Sequence, residues 1–280
     1  MKLTRENGFK QLGQKAMNLS YVGSDVVQCA QRFANSEEFQ AVMDFLSIYK
    51  IDPLVSTLLD IGAGNGIASW AFAKSGFAVE ALEPNPSPLV GHGAIEKLTS
   101  VTGISIRIHK TWGEALPVCD NSFNIVYCRS VLHHAHDLVQ MLREIRRVLR
   151  PSGILLVCRE HVISKPEDLT AFLSRHPMHQ FTAEENAYLL QEYLSAFQCA
   201  GLDILRVLRP LESIINFYPM TCEELGNMIT TFAQSLLGPS VGGMLSKTHL
   251  FQNVYVRWRD FRDNTPGRLY TFICKKPKTL

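Results

Sequence analysis

The sequence lacks the marks of several protein classes. None of the apolar runs in its 280 residues approaches the roughly 18 residues that cross a membrane. Residues 1–11 carry charges throughout and have no apolar centre, unlike a secretory signal. Lys plus Arg number 28 and Asp plus Glu number 26, so the small excess of positive charge gives no footprint for nucleic acid. We therefore expect no membrane span and no nucleic-acid partner.

Metal-binding spacings are also missing. The seven cysteines include no C-x-x-C pair, the spacing typical of zinc and redox sites. Cys128, Cys158 and Cys274 end apolar, strand-like runs, which predicts buried thiols in a reducing, cytoplasmic compartment. No thiolate accompanies the clustered histidines, so we expect no metal. These histidines are His133, His134, His136, His161, His176 and His179. The last two stay open as substrate contacts.

What the sequence does contain is a regular alternation of apolar runs and helical patterns. The predicted strands are 57–62, 78–84, 104–110, 123–129 and 153–162, and the predicted helices are 66–76, one ending near Lys97, and 137–150. This alternation predicts βαβ units. The strands are apolar almost throughout, which favours a sheet covered on both faces. The predicted class is α/β, a doubly wound and mostly parallel sheet with helices on both faces.

The pattern changes after the fifth predicted strand. A helix over 183–201 is followed by strands over 202–208 and 267–276, the latter at or next to the sheet edge. Between them, 210–266 is too long for a hairpin loop, so we predict an inserted, mainly helical segment. It is either a cap over the substrate or a dimer interface. The predicted core is thus 51–209 with 267–280, preceded by a helical segment over 1–50. There Asn35 and Glu38 are spaced as a capping box.

A glycine-rich turn joins the first predicted strand to its helix. It reads Asp60-Ile-Gly62-Ala-Gly64-Asn-Gly66. Glycines let the backbone approach a ligand closely, and the following helix offers free N–H groups. A dinucleotide fingerprint would need a third glycine where Ile67 stands, so that fingerprint fails. Glu83 ends the second strand, where an acid can accept hydrogen bonds from the hydroxyls of a ribose.

Four motifs in this order make the sequence similar to class I S-adenosylmethionine-dependent methyltransferases, closest to the Methyltransf_11-like subgroup. They are LLDIGAGNG (58–66), the acid Glu83, GEALPVCDNSFNIVYCRSVLHHAHD (113–137) and REIRRVLRPSGILLV (143–157). The resemblance implies a Rossmann-like sheet of seven strands and S-adenosyl-L-methionine as cofactor, with S-adenosyl-L-homocysteine as product. REHVISK and the residues 176–201 also resemble enzymes of cell-surface polysaccharides or sugar-derived metabolites.

The resemblance also implies a set of cofactor-binding residues. Asp60 with the backbone of Gly62 and Gly64 would hold the methionine part, and Glu83 the ribose. The full set is Asp60, Gly62, Ala63, Gly64, Glu83, Pro84, Trp112, Gly113, Glu114, Cys128 and Arg129. The segment 1–50 would cover the cofactor cleft.

Two positions depart from the pattern. Trp112 stands where these enzymes often carry an acid that takes the adenine amino group. It either stacks on adenine or is a half-buried loop residue. Asn124 replaces the usual Asp, whose role is often structural.

Methyl transfer needs alignment, exclusion of water and sometimes a general base. The expected catalytic candidates are His133 and His134 after strand four and His161 after strand five, with Glu160 beside it. An LHH pair is common in the resembling enzymes whatever their substrate, which makes one of these histidines architectural.

Three functions stay open. The leading one is transfer of a methyl group to a small molecule, with a sugar or sugar-linked metabolite as the specific hypothesis. The sequence lacks the N/D-P-P-Y and Pro-Cys motifs that mark base-modifying relatives. The second is a protein or RNA methyltransferase, and the third is a cofactor-binding but inactive partner subunit.

Two basic clusters have alternative explanations. Arg143, Arg146, Arg147 and Arg150 form either an RNA patch or a solvated helix face, and we favour the latter. Arg257, Arg259, Arg262 and Arg268 either meet an anionic or sugar substrate or form ion pairs with Asp260 and Asp263; we favour the ion pairs. A homodimer through 210–266 also stays open.

Overall fold

A single mixed sheet organises the computed structural model, which describes residues 25–174 and 186–278. Within these residues the sheet has eight strands: β1 (Thr57–Ile61), β2 (Ala78–Leu82), β3 (Arg107–His109), β4 (Phe123–Arg129), β5 (Leu149–Ile163), β6 (Tyr188–Leu189), β7 (Asp203–Leu208) and β8 (Arg268–Lys275). The strand order is β3-β2-β1-β4-β5-β8-β7, and the short β6 pairs with β5 off this path. Only β8 runs antiparallel, to both β5 and β7. The predicted α/β class is confirmed.

Helices connect the strands and cover both faces of the sheet. They are α1 (Val26–Ala34), α2 (Glu37–Ile48), α3 (Ile67–Lys74), α4 (His92–Thr102), α5 (Leu138–Val148), α6 (Asp168–Leu173), α7 (Leu190–Cys199), α8 (Ile214–Phe217), α9 (Cys222–Leu237), α10 (Pro239–Leu245) and α11 (His249–Arg262). Successive strand residues alternate between the two cores: Leu58 joins the one with α1 to α4, and Leu59 joins the one with α5 and α7. The two-sided burial explains the nearly continuous apolar strands.

Three local predictions need correction. The cap of α2 is Ser36, whose Oγ accepts the N–H of Phe39, and not Asn35. The helix predicted over 183–201 begins only at Leu190, because Tyr188 and Leu189 pair with β5 instead. The sheet therefore has one strand more than the seven expected. β8 lies next to β7, the edge strand of the sheet, as predicted.

The segment 210–266 contains α8 to α11. It has an apolar cluster of its own, built on Leu225, Ile229 and Tyr255. Among the residues that the structure describes, no helix is long and apolar enough to cross a membrane. Whether the segment caps a substrate or joins two copies remains a prediction.

Asn124 ties the starts of β1 and β4 together. Its Oδ1 accepts hydrogen bonds from the N–H of Thr57 at 3.0 Å, the hydroxyl of Thr57 at 3.1 Å and the guanidinium of Arg150 at 3.0 Å. An aspartate at this position would offer the same acceptor. The geometry therefore gives Asn124 a structural contact, far along the strands from their carboxyl ends.

We expect Asn124→Ala to lower the free energy of unfolding by about 1–3 kcal/mol, because the N–H of Thr57 loses its acceptor. Asn124→Asp should keep the wild-type value or exceed it, since the carboxylate retains the acceptor and faces Arg150. Urea unfolding of both variants measures the difference. Equal losses in the two variants would contradict the assigned hydrogen bonds.

Candidate functional site

The glycine turn follows β1 at the carboxyl edge of the sheet. Gly62, Gly64 and Gly66 have φ values of 66°, 57° and 80°, a left-handed conformation that other residues adopt at a cost. Gly62 also lacks room for a side chain, since a Cβ there would lie 2.5 Å from a methyl of Val131. Ala63 is buried, and its N–H donates to the carbonyl of Leu82 at the end of β2. The turn thus requires its glycines on two grounds, conformation and close packing.

Glu83 sits beside this turn, directly after β2. One carboxylate oxygen accepts the N–H of Gly64 at 2.7 Å and the other accepts the N–H of Asn85 at 2.9 Å. The residue is buried, and burial raises its pKa above the ordinary value although both hydrogen bonds act in the opposite direction. Pro84 follows and is half-buried. Glu83 therefore bridges the loops after two adjacent strands.

Asp60, near the end of β1, is also buried. Ser69 of α3 donates a hydrogen bond from its hydroxyl to Oδ2 of Asp60. Burial raises the pKa of Asp60 to about 7, and the neighbouring Glu83 adds to the rise. An acid that titrates near neutral pH at the edge of the sheet is typical of a binding or catalytic position.

Arg129 ends β4 and pairs with a residue far away in sequence. Its Nε and a terminal nitrogen reach the two carboxylate oxygens of Glu38 in α2, at 2.7 Å and 3.0 Å. Burial alone would raise the pKa of Glu38, but Arg129 and Arg159 lower it below the ordinary value. Glu38 is completely buried, so it is an ionised partner inside the protein. This pair fixes α2 against the carboxyl edge of the sheet.

Cys128, the preceding residue, is completely buried among the core side chains around α5 and α7. Burial raises the pKa of its thiol well above the ordinary value, so it is not a thiolate at neutral pH. Cys158 and Cys274 are buried as well, which confirms the predicted burial of all three thiols.

Glu160 organises the loop after β4. Oε1 accepts the N–H groups of Val131 and Leu132 at 2.9 Å and 3.0 Å, and Oε2 lies 2.7 Å from Nδ1 of His133. Burial would raise the pKa of Glu160, but His133 and the two backbone donors lower it below the ordinary value. Because Glu160 is an ionised acceptor, Nδ1 of His133 carries a proton.

Three predicted histidines lie together at this edge. The ring of His133 is 4.2 Å from the ring of His134 and 4.8 Å from the ring of His161, between centroids. Nδ1 of His161 lies 3.0 Å from the carbonyl of Gly267 and therefore donates to it. His176 and His179 lie outside the described residues. In residues 25–174 and 186–278 no group of three possible ligands is arranged to hold a metal.

The loop after β3 carries the remaining predicted residues. Trp112 is 48% exposed and packs its ring 5.6 Å from that of His136. Gly113 is buried, and a Cβ there would lie 2.8 Å from the end of Met141. Glu114 accepts the N–H of His136 at 2.9 Å. Trp112 is thus accessible to a ligand, and its adenine contact remains a prediction.

Three of the four arginines at and after α5 make contacts within the protein. Arg147 binds Glu144, Asp120 and two backbone carbonyls, and Arg146 binds the carbonyl of Gly201. Arg150 holds Asn124, as described above. These contacts give Arg146, Arg147 and Arg150 a structural explanation, and of the predicted basic face they leave the exposed Arg143.

Sequence reasoning missed two functional contacts. Glu38 lay in a segment that pattern alone predicted as helix, and nothing in the sequence marks its pairing with Arg129. Arg159 is buried and donates to the carbonyls of Ile215 and Tyr218 around α8, at 2.7 Å and 2.9 Å. Glu160 was considered as a base after strand five, but it lies within β5 and its contacts fit a positioning role.

Comparison with known proteins agrees with this geometry. The family described as "Methyltransferase domain" matches residues 59–157, which run from β1 into β5. An uncharacterized methyltransferase of Mycobacterium tuberculosis is 31% identical over 113 residues, covering 40% of this chain and 42% of that protein. The uncharacterized methyltransferase YcgJ of Bacillus subtilis is 30% identical over 170 residues, covering 55% of this chain and 61% of YcgJ. The chain thus spans less than two thirds of the length of these relatives.

Solved structures agree with the fold as a whole. The crystal structure of YcgJ superimposes with a TM-score of 0.54 at 18% identity, covering 86% of this chain and 100% of that one. Phosphoethanolamine N-methyltransferase 2 of Haemonchus contortus, in complex with phosphomonomethylethanolamine and S-adenosylhomocysteine, gives a TM-score of 0.52 at 15% identity. It covers 86% of this chain and 53% of that protein. At these identities the likeness is one of fold.

Asp60→Asn should make stability less dependent on pH. Since folding raises the pKa of Asp60 from 3.8 to about 7, its stabilising contribution is present below about pH 4 and is lost as the pH rises to about 7. The unfolding free energy of the variant minus that of the wild type should grow over this range, by up to roughly 4 kcal/mol. Urea unfolding at several pH values measures it.

Asp44→Asn, at an exposed position of α2, is the control for loss of one charge. A difference between Asp60→Asn and wild type that does not change with pH would show that Asp60 is not the titrating group.

Proposed function

We propose, from the premise that residues 59–157 form a class I methyltransferase domain, that the protein transfers a methyl group from S-adenosyl-L-methionine to a small acceptor molecule. The observation that carries the proposal is the pairing of Glu83 with the glycine turn. An acid and the backbone of a glycine-rich turn meet there at the carboxyl ends of adjacent parallel strands, where ligands of this type of sheet bind. The specific acceptor that we propose is a sugar or sugar-linked metabolite.

The residues at this edge fit the cofactor chemically. A carboxylate has about four acceptor positions, and Glu83 uses two of them for Gly64 and Asn85, so two remain for the two hydroxyls of a ribose. Asp60 and the turn Gly62–Gly66 would hold the methionine part. Pro84 and the loop of Trp112, Gly113 and Glu114 would border the adenine. The likeness to a fold that binds S-adenosylhomocysteine in the Haemonchus enzyme supports this assignment.

When bound, S-adenosyl-L-methionine supplies an electrophilic methyl group on a sulfonium. The chain's task is then to align a nucleophile and, for a hydroxyl or protonated amine, to accept its proton. The Glu160–His133 pair suits proton acceptance. Because Nδ1 of His133 is protonated toward Glu160, Nε2 is the nitrogen that can accept a proton. Ionised Glu160 would also stabilise the charge that His133 gains.

His161 has the same tautomer for another reason. The carbonyl of Gly267 can only accept, so Nδ1 of His161 donates and Nε2 is the possible base. The ring of His134 lies 4.2 Å from the ring of His133, between centroids. We infer that the base is one of His133, His134 and His161, and that the tautomers of His133 and His161 suit these two to the role.

The alternative functions are addressed by separate observations. A protein or RNA methyltransferase would need an extended, accessible basic surface, and two of the three arginines of α5, Arg146 and Arg147, are engaged within the protein. An inactive cofactor-binding subunit was suggested by the departures at Trp112 and Asn124. Asn124 makes structural contacts that an aspartate would make, which weakens this second alternative.

Calorimetric titration with S-adenosylmethionine and S-adenosylhomocysteine tests the cofactor. We expect both to bind and NAD, the control ligand, not to bind. Glu83→Ala should weaken binding of both by about 10- to 150-fold, because a charge-assisted hydrogen bond contributes roughly 1.5–3 kcal/mol. Glu96→Ala, on the exposed side of α4, should leave the affinity unchanged. Unchanged affinity in Glu83→Ala would remove Glu83 from the site.

Substitution of the histidines tests the base. His133→Ala and His161→Ala should keep the affinity for S-adenosylmethionine. The variant that removes the base should transfer the methyl group roughly 10²- to 10⁴-fold more slowly. Rates are measured with a panel of sugars and nucleotide sugars, and His249→Ala at the exposed start of α11 is the control. If His133→Ala, His134→Ala and His161→Ala all abolish cofactor binding, their roles are structural.

A further inference from the structure

The insertion has an unusual charge pattern. Residues 225–259, which cover most of α9, all of α10 and most of α11, contain no aspartate or glutamate. The same stretch contains Lys247, Arg257 and Arg259, and Arg262 follows shortly. Well-behaved surfaces carry charges of both signs interspersed. In this segment, which acids border on both sides, the charged residues are all cations.

Helix α11 has two apolar faces. The inner face carries Tyr255 and packs on α9, where the rings of Tyr255 and Phe232 are 4.9 Å apart. The outer face carries Leu250, Val254, Trp258 and Phe261. At about 100° per residue these four side chains fall within an arc of about 80°. Trp258 lies at the border with the inner face, where its ring stacks on that of Phe232 at 5.2 Å. Leu250 is 77% exposed and Phe261 is 82% exposed.

The neighbouring helices add to this apolar character. Their exposed apolar residues are Met228, Leu236 and Leu237 on α9 and Val241 and Met244 on α10. Scattered single residues of this kind are normal on a protein surface, but a continuous stripe such as that of α11 marks an interaction site.

Cations flank the stripe. On the helical wheel Arg257 lies about 20° to one side of Leu250, and Arg262 lies about 40° beyond Trp258. The guanidinium of Arg262 stands 5.3 Å over the ring of Trp258. Contrary to our sequence prediction, no ion pair joins these arginines to Asp260 or Asp263 in the described part of the chain. Asp260 is instead buried and accepts the N–H of Leu211 at 3.0 Å.

We propose that the outer face of α11, formed by Leu250, Val254, Trp258 and Phe261 with Arg257 and Arg262, docks the protein on an anionic lipid surface. An amphipathic helix with aromatic and aliphatic residues on one side and arginines beside them lies in the plane of such a surface, with its apolar side among the acyl chains. The arginines then face lipid phosphates. This proposal is independent of methyl transfer.

Charge decides between lipid and a second copy of the chain. A two-fold contact places the same patch on both partners. The arginines of one copy would then lie near those of the other, and among the described residues neither Arg257 nor Arg262 forms an ion pair with an acid. An anionic membrane is complementary to the same charges.

Co-sedimentation of the full-length protein with vesicles tests the proposal. We expect binding to vesicles of phosphatidylcholine with about 40% phosphatidylglycerol, weak binding to phosphatidylcholine alone, and a decrease with added salt. Leu250→Ser with Phe261→Ser should weaken binding roughly ten-fold or more, since two exposed side chains lose their apolar burial. Arg257→Gln with Arg262→Gln should weaken it about five-fold per arginine.

The matched control is Ile48→Ser with Val101→Ser, two exposed apolar residues far from the insertion in sequence, which should bind as the wild type does. Circular dichroism checks that each variant is folded. If Leu250→Ser with Phe261→Ser does not fold, Arg257→Gln with Arg262→Gln still tests the proposal. Equal binding by wild type and both α11 variants would overturn the proposal. Absence of vesicle binding by the wild type would also overturn it. In that case, a dimer that the variant Leu250→Ser with Phe261→Ser dissociates would show that the face joins two copies.

Discussion

The buried carboxylate of Glu160 is the constraint on which the site depends. A buried carboxylate without partners is strongly unfavourable, so the loop after β4 must present its donors to it. Val131, Leu132 and His133 do so. Val131 is thereby held against Gly62, where no side chain would fit. One carboxylate on β5 thus fixes both the proton-bearing histidine and the loop that closes on the glycine turn.

Other buried charges attach distant parts of the chain to the same edge. Glu38 and Arg129 join α2 to the end of β4, and Arg159 holds the backbone around α8. Each of these contacts carries a desolvation cost that hydrophobic packing elsewhere offsets, and breaking one partner would leave the other charged and buried. Burial of Asp60 at the end of β1 carries a similar desolvation cost, which raises its pKa. These buried charged groups lower the stability of the fold at the edge where the strands end, which is typical of binding sites.

The sequence predicts the sheet well because its signals are local. Apolar runs and the glycine turn each act within a few residues, and β1 to β5 follow from them. The cap of α2 was displaced by only one residue, to Ser36, since both candidates are good caps. The start of α7 was wrong because Tyr188 and Leu189 found partners on β5, which is a tertiary preference.

The site was predictable only in part for the same reason. Gly62, Gly64 and Glu83 belong to a motif, and the structure places them together. The partners Glu38 with Arg129 and Glu160 with His133 come from separate segments, and no spacing in the sequence marks them. Their pairing follows from the order of the strands, which brings the ends of β4 and β5 side by side.

In the segment 210–266, some residues attach it to the rest of the fold and others form the exposed face of α11. Its first helix, α8, is fastened to the core through Arg159, and α9 and α11 pack on a cluster of their own. Leu250, Val254 and Phe261 are exposed and lie outside that cluster, whereas Trp258 stacks on Phe232 at its border. Exposed leucine and phenylalanine residues nevertheless carry an aggregation hazard. Their position beside Arg257 and Arg262 is best explained by a surface that covers them when the protein is in use.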